Sequence, residues 1–212
     1  MENTTQIQEG VPIKTVTFRR AYIWQLPVRF FHWINGFAIT FLIITGFLIA
    51  NPPAIMTAKE ASGQFWMGLI RQVHFISAYA MVAVMFMRVY WAFVGNRFAN
   101  WRQFVPFDKK GREKMWHVIK YDIFLFNEKE YKFTNIPIGH NAVAAASYLV
   151  MFILAVVMVF TGFALYAPTS TWFFPKFFAW ATSLITTDEF LIRRIHHIVM
   201  WAFILFIAVH FY

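Results

Sequence analysis

Four long, nearly uncharged segments most constrain what this chain can fold into. They cover residues 30–50, 73–95, 141–167 and 195–212, and Arg88 is the only charged side chain within them when histidine is counted as neutral. A helix needs about 20 apolar residues to cross the hydrocarbon core of a bilayer, and each segment is close to that length. The sequence therefore predicts an all-α membrane protein, a four-transmembrane-helix bundle that forms a single domain over residues 1–212.

The composition agrees with a membrane bundle and excludes several kinds of site. Of the 212 residues, 59% are hydrophobic and 14% are charged, whereas soluble domains average about 25% charged residues. Cysteine is absent, which excludes disulfides, thiolate zinc sites, iron–sulfur ligation and covalent heme attachment on this chain. Any metal must therefore be held by histidine, methionine, tyrosine or carboxylate side chains.

The net charge of +9 is distributed unevenly between the two sides of the predicted bundle. Fourteen of the 19 Lys and Arg residues lie before the first segment, near the end of the second, or in the loop between the second and third. Such loops stay in the cytoplasm, which predicts a cytoplasmic N-terminus in the bacterial cytoplasmic (inner) membrane. The same asymmetry accounts for the positive charge without a nucleic-acid partner.

The segments outside the four predicted helices carry weaker signals. Residues 1–28 lack the apolar core and cleavage site of a signal peptide, so we expect the N-terminus to be retained. Short interfacial helices are predicted in two loops, one from an apolar stripe in the basic loop and one on the outer surface. The stripes consist of Met115, Val118 and Ile119, and of Phe177, Trp180, Ala181 and Leu184.

Histidines in the predicted helices fall at two depths. His196 and His210 are 14 residues apart, which in a helix places them within about 40° of one face and roughly 21 Å apart. Successive helices run in opposite directions, so His74 is predicted at the depth of His196, and His32 at the depth of His210. His197 faces elsewhere on the same helix.

Two imidazoles that face each other at one level of a bundle suit a heme b, because they fill both axial positions of the iron. Buried ionisable side chains in membrane helices are costly and indicate function. The sequence therefore predicts two heme b cofactors. His74 and His196 would hold the outer heme iron, and His32 and His210 the inner one.

Other residues near these histidines fit heme sites. Candidate propionate contacts are three arginines that each precede a histidine by three residues, and a fourth that lies 14 residues after His74; they are Arg29, Arg71, Arg193 and Arg88. Gly46 lies 14 residues after His32, and its lack of a side chain would let a porphyrin approach. His140 and Asn141 are candidate quinone contacts, and a helix-capping role is the alternative for His140.

Several motifs around these positions are specific. They are Arg29-Phe-Phe-His32-Trp33, Thr45-Gly46, Arg71-Gln-Val-His74, the stretch from Arg88 through Tyr90-Trp91 to Gly95-Asn96, Gly139-His140-Asn141, and Arg193-Arg194-Ile-His196-His197 with Trp201, Phe206 and His210. With them, the sequence resembles the b-type cytochrome subunit of membrane-bound nickel–iron hydrogenases, a diheme cytochrome b family, over nearly the whole chain.

The resemblance implies a function and a set of partners. A subunit of this kind anchors the hydrogenase and passes electrons from its iron–sulfur small subunit to quinone, so the implied partners are the hydrogenase small and large subunits, membrane lipid and quinone. Carried over residue by residue, the axial ligands would be His32, His74, His196 and His210. No hydrogen-activating site is expected on this chain, because it lacks cysteine. Relatives continue past the position of Tyr212 into a cytoplasmic tail.

Three other functions remain open at this point. The cytochrome b subunit of a formate dehydrogenase or related reductase would have the same arrangement of hemes and would differ in its partner protein. A heme-free membrane anchor needs only the aromatic and basic surfaces, and it leaves the histidines at matched depths unexplained. A proton or metal transporter would place acidic groups along its path, but the four predicted helices contain no Asp or Glu.

Overall fold

The computed structural model describes residues 5–8, 11–14, 22–54, 65–104 and 142–211, together with residues 109, 112, 113, 116, 119 and 120 of the long loop. In chain order the elements are β1 (Thr5–Gln8), β2 (Val11–Lys14), α1 (Leu26–Ala50), α2 (Trp66–Val94), α3 (Ala142–Tyr166), α4 (Phe173–Ser183) and α5 (Glu189–Phe211). Two single 3₁₀ turns, Trp101–Gln103 and Ala167–Thr169, follow α2 and α3.

Helices α1, α2, α3 and α5 are each long and apolar enough to cross a membrane. They confirm the predicted four-helix membrane bundle. Three of them begin earlier than predicted, at residues 26, 66 and 189 instead of about 30, 73 and 195. Arg29, Arg71 and Arg193 lie within these earlier turns, because long arginine side chains can reach a polar boundary from within a helix.

The N-terminal hairpin is an addition to the predicted architecture. β1 and β2 pair antiparallel, with Thr5 opposite Lys14 and Gln8 opposite Val11. Strands of four residues are too short for an alternating pattern to stand out in a polar segment. The long basic loop carries the predicted interfacial stripe, of which Met115 and Val118 lie outside the described residues.

The apolar core lies where α1, α2, α3 and α4 meet. It is formed by Ala38, Met81, Val82, Val159, Phe163 and Phe178. The short helix α4 forms where the outer loop was predicted to hold one, and it buries Phe178 and Thr182 against the bundle. The predicted stripe of Phe177, Trp180 and Leu184 faces away from the protein and is exposed, as suits a surface in contact with lipid.

Helices α1 and α5 face each other across the bundle through long side chains. The rings of Phe47 and Trp201 are 5.5 Å apart between centroids, and a Cβ placed on Gly46 would lie 3.8 Å from the sulfur of Met200. α1 packs along α2, and α3 packs against α4 and α5. The space between these two groups of helices is therefore bridged by side chains rather than filled by close helix packing.

The segment before α1 is tied to the end of α2 by two amide side chains. The Gln25 Oε1 atom accepts hydrogen bonds of 3.0 Å from the Trp91 indole and from the backbone N–H of Asn96. The Asn96 side chain donates to the Ile23 carbonyl at 3.0 Å and accepts from the backbone N–H of Ala99 at 3.0 Å. These bonds position the N-terminal end of α1 beside the C-terminal end of α2.

We expect Asn96→Ala to destabilise the folded protein by about 1–3 kcal/mol, because half-buried backbone groups lose their partners. Thermal unfolding of the purified protein in detergent, followed by circular dichroism, measures the loss. Asn100→Ala is the matched control, since the Asn100 side chain caps one exposed turn through the backbone N–H of Arg102. Equal midpoints for the two variants would contradict the tie between α1 and α2.

Candidate heme-binding site

His74 of α2 and His196 of α5 are half-buried side chains held in the same way. The Nδ1 atom of His74 lies 2.8 Å from the Thr45 hydroxyl of α1, and the Nδ1 atom of His196 lies 2.9 Å from the Thr161 hydroxyl of α3. Met200, one helical turn after His196, lies beside the same glycine as the His74 ring: a Cβ placed on Gly46 would lie 3.8 Å from the Met200 sulfur and 3.7 Å from Cε1 of His74. Each histidine is thus hydrogen-bonded to a neighbouring helix, and the two rings lie in one region of the bundle.

A glycine follows each of these threonines and lies against the same ring. A Cβ added to Gly46 would lie 3.7 Å from Cε1 of His74, and a Cβ added to Gly162 would lie 3.1 Å from Cε1 of His196. The sequences Thr45-Gly46-Phe47 and Thr161-Gly162-Phe163 are identical in residue type. One three-residue motif therefore provides the same support twice, once from α1 and once from α3.

His32 of α1 and His210 of α5 form the second histidine pair. Their ring centroids are 6.1 Å apart with an interplanar angle of 44°. One metal ion bound to a nitrogen of each ring would span about this distance, because metal–imidazole nitrogen bonds are about 2.0–2.1 Å long. Both side chains are exposed, and aromatic rings surround them: Trp33 lies 5.9 Å from His32, and Phe206 lies 5.7 Å from His210.

Each of the two predicted pairs offers two imidazole nitrogen donors. Within the described ranges, no group of three or more His, Asp or Glu side chains could hold a metal ion. A heme fits such a pair, because the porphyrin supplies four ligands and leaves the two axial positions to the protein. Two clefts of about 240 and 380 Å³ lie against α4, and neither is lined by a histidine.

The four candidate propionate arginines differ in their surroundings. Arg88 is half-buried, one of its terminal guanidinium nitrogens is buried without a hydrogen-bond partner, and its guanidinium carbon lies 4.8 Å from the Phe104 ring centroid. Arg29 is exposed and donates through Nε to the Trp24 carbonyl at 3.0 Å. Arg71 and Arg193 are exposed on the helix turns before His74 and His196. Of the four arginines, Arg88 is therefore the one with a buried, unpaired guanidinium nitrogen that a propionate oxygen could satisfy.

The predicted quinone contacts, His140 and Asn141, lie outside the described residues. In the described part of the chain, Asn35 of α1 is the nearest polar residue to follow His32, and its carbonyl oxygen Oδ1 is buried without a hydrogen-bond partner. An unsatisfied buried amide oxygen is a group that a ligand or water can satisfy.

Comparison with known proteins identifies the family. Residues 23–212 match the family described as prokaryotic cytochrome b561. The chain belongs to this family. Its cytochromes are b-type, so the protein is a multi-pass membrane cytochrome with heme b as its cofactor.

Among relatives of this cytochrome, one from Rhodobacter capsulatus named "Probable Ni/Fe-hydrogenase B-type cytochrome subunit" is 38% identical over 197 residues, which cover 90% of this chain and 72% of the relative. A relative with the same name from Rhizobium leguminosarum bv. viciae is 36% identical over 206 residues, covering 94% and 82% of the two chains. The "Probable Ni/Fe-hydrogenase 1 B-type cytochrome subunit" of Escherichia coli K12 is 34% identical over 200 residues, covering 90% and 80%. The predicted resemblance to hydrogenase cytochromes is thereby confirmed.

Thr45 and Thr161 are the polar contacts of this cytochrome that the sequence reasoning did not single out as site residues. Both hydroxyls reach a histidine on another helix, 29 and 35 residues further along the chain. The repeated Thr-Gly-Phe motif was the available signal. It did not reveal which histidine each threonine meets, because contacts between helices depend on how the helices are rotated against each other.

With His196 as a heme ligand, as the sequence predicts, we expect Gly162→Ala to weaken heme binding by about tenfold, as changes in the immediate surroundings of a metal ligand do. The added methyl group would lie 3.1 Å from the His196 ring, so the ring must move, whereas Gly46→Ala places its methyl group at an ordinary contact distance of 3.7 Å from His74. Heme content per purified chain measures the effect. Gly36→Ala is the control, because no atom lies within 4 Å of its added Cβ. Equal heme loss in Gly46→Ala and Gly162→Ala would contradict the steric explanation.

Proposed function

We propose that this cytochrome is the diheme b-type subunit that anchors a nickel–iron hydrogenase to the membrane and transfers electrons from its iron–sulfur small subunit to the quinone pool. The proposal is carried by the placement of four histidines: the rings of His32 and His210 are 6.1 Å apart, and His74 and His196 are hydrogen-bonded in the same way to threonines of neighbouring helices. In α5, His196 and His210 are 14 residues apart, which corresponds to roughly 21 Å along a helix. Two redox sites at this spacing would span much of the bilayer. The names of the relatives support the hydrogenase as partner.

The chain's own residues would hold the two cofactors. His74 and His196 would ligate the outer heme iron, and His32 and His210 the inner one. Each bound heme would supply a one-electron redox centre. The buried guanidinium of Arg88 offers a charged hydrogen-bond donor for a propionate, and the exposed Arg29, Arg71 and Arg193 offer three more.

The charge distribution supports an orientation for this path. Most Lys and Arg residues lie on the side that carries the N-terminus and the loop between α2 and α3, so this side would be cytoplasmic. His74 and His196 would then lie near the outer face, where the hydrogenase small subunit would dock. Quinone would bind near the inner pair, with His140 and Asn141 as its candidate contacts.

A consequence of this sidedness is charge separation. Hydrogen oxidation would release protons outside, and quinone reduction would take up protons from the cytoplasm. In liposomes that contain the complex and quinone, hydrogen oxidation should therefore raise the pH of the compartment from which the quinone takes its protons. The absence of such a change during quinone reduction would contradict the proposed orientation.

The first test is the heme content of the purified protein. A dithionite-reduced minus oxidised spectrum with pyridine hemochrome quantitation should give about two hemes b per chain, one for each histidine pair. One heme per chain would contradict the diheme assignment. No heme in a folded preparation would favour the heme-free anchor.

The hydrogenase assignment needs a separate measurement. Affinity purification of this chain from its native membranes should recover hydrogenase subunits, and hydrogen should reduce its hemes in those membranes. Reduction by formate but not by hydrogen would support the alternative, a cytochrome subunit of a formate dehydrogenase.

A further inference from the structure

The hydroxyl protons of Thr45 and Thr161 are already used within their own helices. Thr45 donates its hydroxyl proton to the carbonyl of Phe41, and Thr161 donates to the carbonyl of Val157 at 2.7 Å. A threonine hydroxyl has one proton to donate and two lone pairs to accept with. Toward the histidines, both threonine oxygens can therefore act only as acceptors.

The protonation of the two rings follows from these acceptors. The Nδ1 atoms of His74 and His196 lie within hydrogen-bond distance of the threonine oxygens, so each Nδ1 must carry a proton. A neutral imidazole protonated at Nδ1 has an unprotonated Nε2, which is free to bind a metal.

We propose that Thr45 and Thr161 are paired positioning residues, which hold His74 and His196 as the tautomer whose Nε2 binds the heme iron. The inference rests on the proposed ligation of one iron by these two histidines. The glycines that follow the threonines leave room for the rings beside α1 and α3. The two Thr-Gly motifs thus position the two histidines of a single redox site.

The second histidine pair has different surroundings. The described contacts of His32 and His210 are with each other and with aromatic rings, among them Trp33 and Phe206. An acceptor on the Nδ1–H of a ligating histidine raises the basicity of the ring and stabilises the oxidised metal. The hydroxyl oxygens should therefore lower the reduction potential of the outer heme and leave the inner heme unaffected.

The test is a redox titration of the heme-loaded full chain with threonine-to-valine variants, which remove the hydroxyl and keep the shape. Thr45→Val and Thr161→Val should each shift the equilibrium of one heme toward the reduced form by roughly three- to tenfold, as expected for the loss of one hydrogen bond. The double variant should shift the same heme by about the product of the two factors. Low-temperature EPR of the oxidised protein should show a changed signal for this heme only.

Three further variants separate the hydroxyl from the packing. Thr40→Val is the matched control, because Thr40 lies in the same helix and its exposed hydroxyl donates to the Gly36 carbonyl at 2.8 Å without meeting a histidine. Thr45→Ser and Thr161→Ser keep the hydroxyl and should retain the wild-type potentials. If a valine variant loses the heme, a serine variant with bound heme and the wild-type potential still supports the proposal.

Three results have distinct meanings. Unchanged potentials in both heme-loaded valine variants would overturn the proposal, and so would serine variants that behave like the valine variants. Shifts of two different hemes, one for each threonine, would support the role of the hydroxyls and contradict the ligation of one iron by His74 and His196. A failure of the proposed heme ligation is thereby distinguished from a failure of the threonine assignment.

Discussion

Replacing His196 with alanine should lower the heme content of the purified chain from about two hemes to about one, because in the proposed ligation one iron loses one of its two histidines. His196 is half-buried, and its ring is held by the Thr161 hydroxyl at 2.9 Å. The neighbouring histidine on the same helix faces another direction, so its ring cannot replace the His196 ring. We expect His74→Ala to give the same result, because His74 would bind the opposite side of the same iron.

The control for this prediction is the adjacent residue. His197 follows His196 directly, but it is exposed on another face of α5. His197→Ala should therefore keep both hemes, and pyridine hemochrome quantitation on matched preparations measures the difference. If His197→Ala loses a heme and His196→Ala keeps both, then His197 is the ligand, and the assignment of His196 from its position on the helix is wrong.

The second large effect is expected at the other histidine pair. His210→Ala should remove the proposed inner heme, because the partner ring of His32, at 6.1 Å, is lost. In membranes that contain the hydrogenase, hydrogen should still reduce the remaining heme, but quinone reduction should fall by about 100-fold or more, since ligand loss exceeds the 10–100-fold effects of changes around a ligand. His32→Ala should behave in the same way.

The two histidine variants should therefore fail at different steps. In His196→Ala, dithionite should reduce the remaining heme, but hydrogen should not, because electron entry is lost. In His210→Ala, hydrogen should reduce the remaining heme, but the quinone should stay oxidised. The opposite pattern would mean that electrons enter at the His32 and His210 end, and it would reverse the proposed orientation while leaving the two sites intact.

Much of the architecture was predictable because it depends on local properties of the chain. The length and polarity of the four apolar segments predicted α1, α2, α3 and α5, since a helix that crosses a bilayer must satisfy its backbone internally and expose apolar side chains to lipid. The distance of 14 residues between His196 and His210 placed them on one helix face at two levels. Antiparallel neighbours then indicated that His32 lies at the level of His210, and the structure brings these two rings together.

Helix ends and interhelical contacts were not predictable in the same way. α1, α2 and α5 begin four to seven residues before the predicted positions, because polar turns can extend a helix beyond its apolar part. The contact of Gln25 with Trp91 and Asn96 joins residues 66 and 71 positions apart. No periodicity within a single segment contains information about such a pair.

The sequence by itself determined the number of membrane helices, the two levels of histidines and the repeated Thr-Gly-Phe motif, because each follows from spacing along one chain. Only the tertiary structure decided that Thr45 meets His74 and that Thr161 meets His196. Hydrogen bonds between helices depend on the rotation and the separation of both helices. The packing of Ala38, Val82 and Phe163 in the shared core contributes to this arrangement for α1, α2 and α3, and the buried side chains of α5 contribute for the helix that carries His196.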